Sequence, residues 1–140
     1  MTDQGGDRLS MTGSATLFTL TKTTGIGAVT GTVNGAAYGE QTSEVEELGD
    51  GRIAYTMFHQ FLDSDGSRLR THDRAALSAG APGEPSTLEV EYAVVEATGR
   101  FEGCSGTFRS RGWLRIPPGE EGLVQHSVGV VQFAGELRCE

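Results

Sequence analysis

Cysteine is scarce: the 140 residues hold two, Cys104 and Cys139, and these form no CxxC pair. That is too few for a disulfide framework and too far apart for a local metal or redox motif, so both are read as buried or idle thiols. Long apolar runs are also missing. No 18 uncharged apolar residues follow one another, and the opening MTDQGGDRLSMTGSA has neither the basic flank nor the apolar stretch of a signal peptide. The expectation is a soluble, cytoplasmic protein. Cations are few and scattered. With 11 Lys and Arg against 19 Asp and Glu, the net charge is -8 and no basic stripe interrupts it. Such a chain repels phosphate backbones and anionic lipids, so no nucleic acid and no membrane is expected among its partners.

Familiar catalytic motifs are absent as well. There is no GxSxG elbow, no P-loop and no dinucleotide fingerprint, and Gly25-Ile26-Gly27 is too short to cradle a phosphate. The histidines, His59, His72 and His126, fall on three different expected strands without a carboxylate or cysteine ligand pattern around them. Neither a cofactor nor a metal is expected.

What the chain has in plenty is glycine, 21 of 140 residues, about twice the usual ~7%. It recurs along nearly the whole length, which breaks helices everywhere. The longest glycine-free stretches, 52–65, 67–79 and 84–98, are each one long strand in size and carry no 3.6-residue apolar stripe. Residues 67–74 and 88–94 alternate instead, the period-2 pattern of a half-buried strand. Further strands are expected near 9–22, 27–34, 37–47, 52–62, 106–116 and 123–137. Turns are expected at Gly25, Asn34-Gly35, Gly49-Asp50-Gly51, Asp65-Gly66, Gly80 to Pro85, Gly99 to Gly106 and Pro117 to Gly122.

Eight strands joined by short connections suit an all-β fold, an eight-stranded antiparallel up-and-down β-barrel, because closure removes exposed sheet edges. A sandwich is the alternative. The barrel takes residues 9–140 as one domain, with a flexible segment at 1–8.

One hairpin sets a register. Asp63 opening a type I turn, with Gly66 in the left-handed position, opposes Phe61 to Leu69, His59 to Thr71, Met57 to Asp73 and Tyr55 to Ala75. The charges of Arg68, Arg70, His72 and Arg74 then face water, and Tyr55, Met57, His59 and Asp73 face inward. A two-residue Asp65-Gly66 turn would flip the first strand and turn Phe58, Gln60 and Leu62 inward instead.

The stretches FLDSDGSRLRTHDRAAL and LEVEYAVVEATGRFEGCSGTFRSRG resemble the bacterial allene-oxide-cyclase-like, or dirigent-like, barrel family. The DG-S-x-[LI]-R-T hairpin and the TGRFEGCSGTF turn carry the resemblance, over roughly the last two-thirds of the chain. In the turn, Gly99, Gly103 and Gly106 permit positive φ or close approach, and Phe101 can plug one end of the barrel. The resemblance implies a cofactor-free cyclase of bacterial polyketide biosynthesis that folds a reactive polyene for cycloaddition. A lipocalin-like carrier of a small apolar ligand and a dirigent-like auxiliary that steers stereochemistry are the alternatives.

The proposed inner face supplies the candidate residues. Tyr55 and His59 can donate to a substrate carbonyl, and Asp73 can serve in acid or base work or accept bonds from Tyr55, His59 or an arginine. Met57, Phe61, Tyr92 and Phe108 are expected to line a substrate site for a small apolar polyene or polyketide. Trp113 shares parity with Arg109, Arg111 and Arg115 and faces out, as an oligomer contact, unless a bulge at Gly112 turns it in to join the substrate-binding set. Phe58 and Leu62 also lie outside, which points to a homo-oligomer.

Overall fold

A computed structural model describes residues 7–116 and 126–140. The chain forms β1 (Asp7–Ser10), β2 (Gly13–Thr19), β3 (Thr24–Gly31), β4 (Gly35–Gln41), β5 (Glu46–Gly49), β6 (Arg52–Asp63), β7 (Arg68–Ser78), β8 (Ser86–Thr98), β9 (Cys104–Ser105), β10 (Thr107–Arg115) and β11 (Val128–Cys139). Antiparallel pairing runs β11-β10-β8-β7-β6-β4-β3-β2, and β2 returns to β11, so eight strands close a barrel. The remaining short strands extend it: β1 pairs the far half of β11 beyond β2, β5 pairs the near half of β6 beyond β4, and β9 pairs β11.

Boundaries differ from the sequence reading in several places, and the expected strands 9–22 and 37–47 are each divided in two. Gly25 lies inside β3 instead of a turn, because residues 20–23 make the reversal through Leu20 N–H to the Thr24 carbonyl. The first strand starts at Asp7, inside the segment expected to be flexible, because it pairs with β11 through Cys139. The expected turn at Pro117 to Gly122 and the start of the last expected strand at 123–125 lie outside the described residues.

The β6–β7 hairpin takes the three-residue form. Gly66 sits at φ 92°, its N–H donates to the Asp63 carbonyl, and Asp63 N–H donates to Ser67 O. The register therefore opposes Tyr55 to Ala75, Met57 to Asp73, His59 to Thr71 and Phe61 to Leu69. Alternation then sorts the side chains. Tyr55, Phe61, Leu69, Thr71, Asp73 and Ala75 are buried, whereas His72 and Arg74 are exposed and Arg68 and Arg70 lie along the surface.

The two ends of the barrel differ. At the end holding the β3–β4 turn and the β6–β7 hairpin, Phe101 is fully buried in the core, and the Arg100 guanidinium lies 4.2 Å above its ring. Gly99, Gly103 and Gly106 take positive φ, at 64°, 86° and 114°. Arg100 also bonds Asp63 Oδ1 at 2.8 Å and the Thr32 carbonyl, so one side chain ties three turns over that end. Asp63 receives N–H donors from Asn34 and Asp65 besides Arg100, and these hold its carboxyl well below the usual carboxylate range.

Cys104 and Cys139 are cross-strand partners on β9 and β11 and form a disulfide. This corrects the reading of idle thiols: 35 residues separate them in sequence, and the β10–β11 pairing, continued past Gly106, brings β9 beside the tail of β11.

The outside is divided. On β7, β8 and β10, arginines and glutamates face each other, with Arg70–Glu96 at 3.1 Å and Arg111–Glu89 at 3.3 Å. A lipid-facing barrel needs an apolar band there, so this half does not belong in hydrocarbon. No helix of the described residues is long and apolar enough to cross a membrane.

Candidate functional site

The barrel interior is unevenly filled, and the reason lies in side-chain size. Toward the Phe101 end, Phe61, Tyr92, Phe108 and Phe133 pack ring against ring, with Tyr92 and Phe108 stacked at 4.6 Å and the Phe61 centroid 5.5 Å from Tyr92. Each such pair adds ~0.5–1.5 kcal/mol beyond burial. Toward the other end, the inner faces of β3 and β4 carry Gly25, Gly27, Ala37 and Gly39, which reach no distance into the barrel. A cavity of about 80 Å³ results, open at that end.

Four of the expected residues meet on its wall: Tyr55, Met57, His59 and Tyr92. Three come from alternate positions of β6, which runs from the open end toward the aromatic floor, so Tyr55 is nearest the mouth and His59 deepest. Leu88, Val90, Leu114 and Val131 supply apolar wall opposite. Phe61 and Phe108 are not on the lining. Phe61 lies one inward position deeper than His59 on β6, and Phe108 stacks against Tyr92 at 4.6 Å, so both belong to the floor.

Asp73 is buried behind His59. Its Oδ2 lies 2.6 Å from His59 Nδ1, and the Asp73 side chain has no exposed surface. An ionised Asp73 accepts this bond from Nδ1–H, and Nε2 is the ring nitrogen that lies toward Gly39 on the cavity lining. The ring is packed on Phe61 at 5.8 Å and meets the edge of Tyr92 at 5.3 Å. Opposite, on β4, is Gly39: a Cβ there would sit 2.6 Å from Nε2. Glycine at this position makes room for the imidazole and keeps Nε2 uncovered. Nε2 has no hydrogen-bond partner among the described residues.

The tyrosines divide into two roles. Tyr92 hydroxyl bonds Ser110 Oγ at 2.7 Å, so it is a satisfied part of the wall. Tyr55 hydroxyl has no partner among the described residues, and burial pushes its pKa well above the ordinary tyrosine value. Burial likewise raises that of Tyr92, outweighing the lowering effect of the Ser110 bond. Both phenols are therefore neutral donors near neutral pH. Asp73 Oδ1 and Thr71 Oγ1 are also buried without partners among the described residues, a costly arrangement that collects beside His59.

Trp113 is outside the site. The β10–β11 register runs through Gly112 without a bulge, so parity sends Trp113 outward with the arginines, where it is 42% exposed. Its place among substrate-binding residues is corrected accordingly. It borders an uncharged outer band formed by Val128, Phe18, Ile26, Tyr38 and Leu62 on β11, β2, β3, β4 and β6. Phe58 packs edge-on against His72 instead of joining it. No group of three His, Cys, Asp or Glu able to hold a metal occurs among the described residues.

The sequence reading missed Gly25, Gly27, Ala37 and Gly39, whose small size creates the cavity. Their signal was present, since small residues repeat at one parity in TGIGAVTG and GAAYGEQ. Placing Gly25 in a turn concealed it.

Compared with protein-family models, with curated proteins and with solved structures, the chain matches none.

Proposed function

We propose that the chain is a cofactor-free cyclase of small apolar molecules, in which the cavity folds a compact substrate and His59, held by Asp73, moves a proton during ring closure. The observation that carries this reading is the 2.6 Å Asp73–His59 bond with the second ring nitrogen on the cavity wall. A carboxylate that fixes Nδ1–H makes Nε2 the basic atom, and a basic imidazole in a water-poor cavity can remove a proton from carbon beside a carbonyl. The neutral Tyr55 hydroxyl can donate to the enolate oxygen so formed. The enolate carbon then attacks the β-carbon of a conjugated enone in the same molecule, the electron pair of that double bond moves onto the enone oxygen, and the imidazolium returns the proton to the enolate so formed. The net reaction is an isomerisation that needs no redox partner.

The resemblance to the allene-oxide-cyclase-like family supports ring closure as the outcome. The Asp73–His59 pair favours proton transfer over cycloaddition, which needs only confinement. Size narrows the substrate. About 80 Å³ holds roughly five to eight water-sized atoms, so a long polyene would place only its reacting portion inside.

The test is to incubate the protein with a panel of ketones that carry a conjugated enone, of about five to seven carbons to match that volume, and to follow products by chromatography and mass spectrometry. Wild type is expected to yield a cyclic isomer of unchanged mass, and His59→Gln to yield none. Ligands that bind tightly and leave unchanged would assign the barrel to a carrier role instead.

For compartment, the Cys104–Cys139 disulfide favours an oxidising environment over the cytoplasm expected from the sequence, because reducing cytosol keeps most thiols unpaired.

A further inference from the structure

Lys22 is the sole lysine among the 140 residues, and it stands at the mouth of the cavity. The turn that carries it, between β2 and β3, is held by its own hydrogen bonds. Thr21 Oγ1 accepts the N–H groups of Thr23 and Thr24 and lies 2.7 Å from Thr24 Oγ1, and Gln41 N–H donates to the Thr23 carbonyl from β4. Lys22 forms no ion pair among the described residues. Besides His59 it is the one ionisable cation among the described residues of the lining, and none of these is a carboxylate, in a chain of net charge -8. The rest of the rim, Thr19, Thr23, Thr24 and Gln41, is uncharged and polar, and the wall below is apolar.

We infer that the cavity takes an apolar monocarboxylate, its carboxylate on the Lys22 ammonium at the rim and its hydrocarbon body pointing toward His59. This rests on the proposed reading of the cavity as a substrate site. A single ammonium balances one negative charge. A phosphate dianion would leave charge uncompensated beside an acidic protein, whereas an uncharged ligand gives no reason for a lysine at this rim. The rim lies two to three residues above the level of His59, roughly 6–10 Å at ~3.3 Å per residue. The reacting carbon is therefore several bonds away from the carboxylate.

Isothermal titration calorimetry on the intact, disulfide-bonded protein tests this with butanoate, hexanoate and octanoate against the matching primary alcohols. The His59 imidazole resonances serve to locate binding in the cavity. In wild type each acid is expected to bind about fivefold to tenfold more tightly than its alcohol, with the preference shrinking as salt is raised. Lys22→Gln, an exposed change that leaves the fold intact, is expected to erase the preference while alcohol affinity stays put. Equal binding of acid and alcohol by wild type, or a preference that survives in Lys22→Gln, overturns the inference and leaves the cavity reading standing. Absence of any binding that moves the His59 resonances overturns both.

Discussion

His59 Nδ1 and Asp73 Oδ2 meet at 2.6 Å although the two residues are not directly opposed on their strands: His59 faces Thr71, and Asp73 faces Met57. The bond is a diagonal one, and it depends on both side chains pointing inward. A one-residue slip of the hairpin would send one of them outside.

Asp73→Asn keeps the shape of the side chain but can offer Nδ1 an amide N–H in place of an acceptor. The imidazole then loses its preference for the form with basic Nε2. Turnover is expected to fall about 10²–10⁴-fold while folding is retained. Nitrogen NMR of His59 provides a reading independent of substrate, and a shift from the Nδ1–H toward the Nε2–H form is expected. An unchanged tautomer with unchanged turnover would leave Asp73 a stiffening group of the barrel and nothing more.

Gly39→Ala introduces a Cβ 2.6 Å from His59 Nε2. The ring cannot yield easily, being tied to Asp73 and packed on Phe61 and Tyr92. Overpacking of this kind costs about 1–3 kcal/mol, measurable by chemical denaturation, and it covers the nitrogen the mechanism uses. Loss of activity out of proportion to loss of stability is the expected result, and wild-type values for both would show that Nε2 is not confined as described.

The barrel was legible because its signals are local and repeated. Period-2 alternation in 67–74 and 88–94 and the Asp63–Gly66 turn fixed which face of β6 points in, and with it the inward placement of Tyr55, Met57, His59 and Asp73. The disulfide was not legible, since two cysteines 35 residues apart carry no pairing information until β9 and β11 are neighbours. The cavity was hidden for a different reason. Volume is a sum over facing strands, and the empty part arises from glycines on β3 and β4 that look like turn signals when read one at a time.

Removing the Cys104–Cys139 bond frees the end of β11 and the short β9 it pairs with. For a span of 35 residues, the loss of chain constraint corresponds to about 3–4 kcal/mol. Urea denaturation of the oxidised protein and of the Cys104→Ser, Cys139→Ser double variant should differ by an amount of that order. Coincident curves would indicate that the pair is not joined in the protein as isolated.

Asp63 gives the closed end an acid sensitivity. Its folded pKa lies below the unfolded value, so its contribution is fully present above the ordinary carboxylate range, near ~4, and is lost as pH falls below that toward the folded value. The three donors that lower it, from Asn34, Asp65 and Arg100, lose their anionic acceptor in the process. Asp63→Asn is expected to flatten the dependence of Tm on pH below ~4, with Arg100→Gln flattening it in part. A wild-type slope retained in Asp63→Asn would move the acid sensitivity to another group.

The uncharged outer band raises the question of partners. Ile26 and Leu62 are 45% and 44% exposed, and Ile26 is flanked across the sheet by Phe18 and Tyr38. The charged groups of β7, β8 and β10 lie on the other half of the barrel, where Arg70 pairs with Glu96 and Arg111 with Glu89. Two copies meeting band to band would cover the apolar groups and keep their charged halves, in chains of net charge -8, well apart. This arrangement is the form in which the expected homo-oligomer is proposed. Analytical ultracentrifugation should then show a dimer for wild type and a monomer for Ile26→Asp with Tm little changed, because the substituted side chain leaves the core untouched. A wild-type protein that sediments as a monomer at micromolar concentration would exclude the dimer.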